Sequence, residues 1–169
     1  MKKVSCFVLS LFFVFALVSC GSAHSSPNDA CRAAAEAFFV NFDADAYFEM
    51  DLNYNLDLVY EYVEDEAQIK KIEKAVKANQ STLRSEIADL ELQYGGREVK
   101  IGDSITSYTY KKGSESFDEY MEDFYYNSTS MESLVEEIAE VKYTLMLDGE
   151  SAKSTMIAYK IDGHWYIGH

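Results

Sequence analysis

Residues 141–168 read VKYTLMLDGESAKSTMIAYKIDGHWYIG. Val141, Tyr143, Leu145 and Leu147 sit at alternate positions and stop at Asp148-Gly149. Thr155, Ile157 and Tyr159 repeat the pattern and stop at Asp162-Gly163, after which Trp165 and Ile167 close the chain. Period-two alternation ended by Asp-Gly is the mark of strands joined by tight turns. The stretch therefore predicts an antiparallel sheet at the C-terminal end. Two registers are open for the last hairpin. A two-residue turn at Asp162-Gly163 sets Ile161 opposite His164, Trp165 beside Lys160 and Ile167 beside Ala158. A three-residue loop from Ile161 to Gly163 sets Lys160 opposite His164, Trp165 beside Tyr159 and Ile167 beside Ile157. A one-residue slip moves every side chain to the other face, so burial of a single apolar face selects the second register. The opposite face then carries Thr144, Met146, Met156, Ala158 and Tyr166. That is rather apolar for a free surface, and Met and Tyr are favoured in interfaces. Met146, Met156, Ala158 and Tyr166 are thus expected to form an interaction face, for a second copy in a homodimer or for an envelope protein partner.

Upstream of the sheet the period changes. Val99, Ile101 and Ile105 still alternate, up to Lys111, but before Gly95-Gly96 the apolar positions Ile69, Ile72, Val76, Leu83, Ile87, Leu90 and Tyr94 follow helical spacing. Asn79, Gln80 and Ser81 interrupt that stripe, which predicts a bend or division there. Glu64, Asp65 and Glu66 suit its N-terminus. An earlier helix starts near Asn28 or Asp29 as cap, with Ala34, Ala35, Phe38 and Phe42 on one face. Between the two, DADAYFEMDLNYNLDLVYEYVEDE predicts a broken helix or loop packed by Tyr47, Phe48, Leu52, Leu56 and Tyr60. SESFDEYMEDFYY predicts a short helix with Phe117, Tyr120, Met121 and Phe124 on one side, and SMESLVEE another turn. Helices first and about four strands last predict an α+β domain, its helices against one face of an antiparallel sheet.

Chemistry-bearing patterns are few. DLNYNLD places Asp51, Asn53, Asn55 and Asp57 at alternate positions, like the first half of a D-x-[DN]-x-[DN]-G-x₅-E calcium loop. The glycine place holds Leu56 and the bidentate glutamate place holds Tyr62, so a solvated polar edge is the expectation rather than a metal site. His24, His164 and His169 lack metal-ligand spacing and are expected to be exposed. No G-x-S-x-G, P-loop or G-x-G-x-x-G occurs, so no catalytic residue, metal or cofactor is assigned.

The chain has 169 residues and a formal charge of −14. Such acidity argues against nucleic acid and against docking on an anionic surface. At the N-terminus, MKK precedes an apolar run, VSCFVLSLFFVFALVS, that leads to Cys20. Two lysines, an apolar segment and a small Ser19 are the layout of a secretory signal, shorter than the roughly 20 apolar residues that span a bilayer. LVSC at 17–20 resembles the lipobox of bacterial lipoproteins. The resemblance implies a signal peptide over 1–19, cleavage before Cys20, and diacylglyceryl and acyl (palmitate-type) chains on that cysteine. Residues 20–28, GSAHSSPND included in part, would be a flexible tether, and 29–169 a single domain. Without the signal the chain keeps 13 basic and 29 acidic residues, a formal charge of −16. Cys31 then has no partner and is expected to be a buried, inert thiol.

The order of elements and the ending YKIDGHWYIG also resemble the cone-shaped fold of nuclear transport factor 2, ketosteroid isomerase and SnoaL-like proteins. This family likeness implies helices on a curved, cystatin-like sheet, with a pocket inside the cone; Tyr143 and Tyr159 are expected to be core or pocket-wall residues. Three functions stay open on the sequence. The first is a lipid-anchored binding or interaction domain taking a small apolar ligand or a protein. The second is a lipid-anchored isomerase, dehydratase or hydrolase, and the third a plain envelope structural protein. In each the domain lies outside the cytoplasm, on the cell membrane or outer membrane.

Overall fold

A computed structural model describes residues 24–122, 124 and 129–168. The signal segment, Cys20 and His169 lie outside the described residues. Helix α1 spans Pro27–Ala35 and starts differently from expectation. Ser26 is the cap: its Oγ accepts from the backbone N–H of Asp29 and donates to the Asp29 carboxylate at 2.7 Å. Pro27 occupies the first turn, where its missing N–H costs nothing and its fixed φ suits a helix. Asp29 is therefore the reciprocal partner of the cap, three residues in. Ala30, Cys31, Ala34 and Ala35 form the buried stripe of α1, and their small side chains allow the helix to lie close on the sheet. The helix does not continue in register to Phe42. Residues Glu36–Val40 form a π turn, closed by Asn41 N–H on the Glu36 carbonyl at 2.8 Å. Phe42 then takes φ of 52°, a conformation rarely adopted by a bulky residue.

Two short helices, α2 (Ala44–Met50) and α3 (Leu56–Tyr62), form the broken segment. Tyr47, Phe48 and Leu52 are buried as expected, while Tyr60 is exposed. Helix α4 runs undivided over Glu66–Tyr94, capped by Asp65. The expected division at residues 79–81 does not occur. Gln80 donates its side-chain N–H to the Tyr54 carbonyl at 2.8 Å, so the polar interruption of the stripe ties α4 to the α2–α3 link.

The sheet contains β1 (Val99–Ile101), β2 (Thr106–Lys111), β3 (Val135–Leu147), β4 (Glu150–Ile161) and β5 (His164–Gly168). Between β2 and β3 lie helices α5 (Glu115–Glu122) and α6 (Thr129–Glu132). The order is β1-β3-β4-β5, all antiparallel, with β2 also on β3. β1 and β2 share one flank of β3, so the sheet is about four strands across, curled into a half-barrel. β3 starts earlier than its alternation suggested, because Glu136, Glu137 and Glu140 lie inside it.

The hairpin register is the other of the two weighed above. Ile161 faces His164, Lys160 faces Trp165, and Ala158 faces Ile167. Asp162 and Gly163 have φ of 49° and 77°, and Asp148 and Gly149 have 50° and 85°. Two successive positive φ values make the type I′ turn for which Asp-Gly is suited. Burial could not favour the three-residue loop, because both faces of the sheet are buried at this end. Ala139, Val141, Ala158, Trp165 and Ile167 pack into one core cluster with α1 and α2. Ile138, Tyr159 and Ile161 pack into a second with Leu52, Leu58, Phe117, Phe124 and Met131. Helical segments therefore cover both faces, not one. A third cluster, Val59, Val63, Ile72 and Val76, joins α3 to α4.

Candidate functional site

The close seating of α1 and the standing-off of α4 leave a cleft of about 580 Å³ between α4 and the sheet. This lies within the ordinary range for small-molecule sites, about 300–1,000 Å³. The π turn contributes Phe38 and Phe39, α2 contributes Tyr47, its following link Tyr54, and β3 contributes Tyr143. Phe38 meets Phe39 edge-on at 4.7 Å between centroids and Tyr47 at 5.2 Å, and Tyr47 meets Tyr54 at 6.3 Å. Edge and tilted contacts of this kind are the favoured arrangement of aromatic rings. Leu83, Met156, Ile157 and Ile167 add apolar surface, Ser154 and Thr155 add hydroxyls, and Glu86 at the solvent edge is the one carboxylate among the described lining residues.

Behind this wall lies a group that the sequence did not single out as buried. Asp51 is 0 % exposed. One of its oxygens accepts from the Tyr47 hydroxyl at 2.9 Å and the other from the Asn53 N–H at 2.8 Å. Asp51 also runs beside Ile167 of β5. Asn55 caps α3, accepting from Asp57 and Leu58 N–H groups at 3.0 and 3.3 Å. The expected solvated edge is thus half structural: Asp51 and Asn55 hold the backbone of the α2–α3 link. The available signal was local. Asn55 precedes an apolar run, as a cap does, and Tyr47 precedes Asp51 by one helical turn.

Burial, then the Asp51 charge and the hydrogen bond to it, push the Tyr47 hydroxyl well above its ordinary ionisation range. Burial and the charges of Asp51 and Glu86 raise Tyr54, and burial raises Tyr143. The three phenols are therefore neutral donors and π surfaces at physiological pH, not bases. Asp51 is not among the residues lining the cleft.

A second cavity of about 260 Å³ adjoins the first and shares Phe39 with it. Phe42, Leu90, Tyr94, Val99, Leu145 and Leu147 complete its lining. The strained Phe42 backbone aims that ring into this wall.

Met146, Met156, Ala158 and Tyr166 do not form one surface. The two-residue turn at Asp148-Gly149 pairs odd positions of β3 with even positions of β4, so Met156 faces Val141 and Ala158 faces Ala139, both toward α1. Ala158 is fully buried there, while Met156 reaches the cleft and contacts the Cys31 thiol at 3.6 Å. Met146 and Tyr166 belong to the opposite face, facing Ser151 and Tyr159 at opposite ends of the sheet. Cys31 is a free, buried thiol whose ionisation is pushed up to about 12 by burial, the inert state expected. Tyr143 lines the cleft, and Tyr159 lies in the second core cluster. His164 is exposed. His24 is not: it is half-buried, its carbonyl accepts from the Trp165 N–H at 2.9 Å, and its Nε2 is buried without a protein partner. No described helix is long and apolar enough to cross a membrane.

The chain matches no family model, no curated protein and no solved structure.

Proposed function

We propose that this protein is a ligand-binding module held on the cell envelope by lipid on Cys20, and that the cleft between α4 and the sheet takes a small, largely apolar molecule. The observation that carries the reading is the lining itself: five aromatic rings and the side chains of Leu83, Met156, Ile157 and Ile167 around about 580 Å³, with Glu86, Ser154 and Thr155 as the polar groups that orient a guest. The placement of Asp51 favours binding over catalysis. A general base must reach its substrate proton, and the Asp51 oxygens are engaged by Tyr47 and Asn53 behind the wall.

The test is titration of the domain with an environment-sensitive apolar dye. Saturable one-to-one enhancement is expected, and Ser154→Trp, at an exposed lining position, should abolish it while leaving the far-ultraviolet circular dichroism of the fold unchanged. Enhancement that fails to saturate, or that survives Ser154→Trp unchanged, would remove the cleft as the site.

A further inference from the structure

Resting on that reading of the cleft, we propose that its preferred guest is an organic cation, an ammonium group carried on a short apolar tail. The polarity of the paired cavities carries this. The larger one is lined by the rings of Phe38, Phe39, Tyr47, Tyr54 and Tyr143 together with the Glu86 carboxylate, and by no lysine or arginine among its described lining residues. Aromatic faces attract cations through the ring quadrupole, and quaternary ammonium groups are recognised by such clusters. The cation nearest along α4, Arg84, is engaged elsewhere: it pairs with Asp45 and lies over the Phe48 ring at 5.2 Å from the centroid. The smaller cavity beyond Phe39 has only apolar and aromatic lining, and suits a hydrocarbon tail. An amphiphile with an anionic head would set it against Glu86 with no compensating positive charge. A neutral head could donate a hydrogen bond to that carboxylate, as it could to an amide in its place, but would gain no net charge attraction.

The experiment uses three probes of equal chain length, octyltrimethylammonium, octanol and octyl sulfate, titrated calorimetrically below their aggregation concentrations. Salt is kept near 0.15 M, where the screening length is about 8 Å and the chain's general negative field is damped. The ammonium probe is expected to bind one-to-one and more tightly than the alcohol, with the sulfate weakest. Glu86→Gln should weaken the ammonium probe about fivefold, the size of one solvent-edge ion pair, and leave the alcohol unchanged. Glu91→Gln, an exposed carboxylate of α4 outside the lining, should leave all three unchanged. Equal loss in both variants would assign the preference to overall charge and overturn the proposal. Alcohol or sulfate binding as tightly as the ammonium probe would overturn it too, while keeping the apolar-ligand reading. Binding of none of the three would overturn both.

Discussion

Asp51 and His24 are the two polar side chains whose surroundings decide most. Asp51→Ala removes the acceptor of both the Tyr47 hydroxyl and the Asn53 N–H inside a fully buried site. It should cost about 3 kcal/mol, the scale for a buried charged hydrogen-bonding group, while Tyr47→Phe should cost about 1–2 kcal/mol. Urea midpoints at constant slope would check both values. His24 supplies a pH dependence. Burial lowers its imidazole value from 6.5, with the nearby Asp29 charge partly offsetting the shift. A lowered value means that the unfolded state binds the proton more readily. The His24 contribution is thus complete above about 6.5 and is lost as pH falls through the lowered folded value. The melting temperature of the wild type should drop over that interval more than that of His24→Phe, and a parallel fall in both would deny His24 the role. The Tyr47–Asp51 spacing was legible in the sequence, but the burial of Asp51 and of His24 was not. His24 bridges to Trp165 and Asp51 to Ile167, both from the far end of the chain, and no local pattern announces such a pairing. Cys31, flanked by alanines on one helical stripe, was legible because its surroundings are local.

At the scale of elements, turn chemistry governs the register. Gly163 has φ of 77°, so Gly163→Val should destabilise by about 1–2 kcal/mol, the cost of a side chain in the left-handed region. Asp162→Asn, which tolerates that region equally, should be close to neutral by thermal melting. Losses of equal size in both variants would mean that the Asp162 contact with the Tyr62 hydroxyl at 3.4 Å matters more than backbone strain. Helix α4 and both Asp-Gly turns were readable from spacing and turn residues. The parity of the strands was not, because an argument from one buried face fails where Ala158 and Tyr159 are both buried on successive positions. The first half of β3 was hidden by its acids, which the fold accommodates through ion pairs such as Glu137 with Lys160 at 2.9 Å. The π turn has no readable signature in EAFFV.

For the molecule as a whole, element order was enough to predict an α+β fold, since a closing run of strands needs the preceding helices to cover it. The cleft was not predictable in detail, because its walls come from the π turn, α2, α4, β3, β4 and β5. Anchoring is a whole-chain property and is tested on the full chain. Cys20→Ala should abolish incorporation of a fatty-acid probe and leave an unprocessed precursor, and a variant that stays labelled would exclude lipidation at that residue. The pairing of His24 with Trp165 bears on how such a chain is held. The expected tether ran from 20 to 28, yet the backbone is already fixed to the last strand at His24. With lipid on Cys20, four residues of chain remain, and at about 3.5 Å each they reach no further than about 14 Å. Such a leash would be shorter than a domain of this length is wide. The β5 edge would ride at the bilayer surface, and the molecules within its reach would be those leaving or entering that surface.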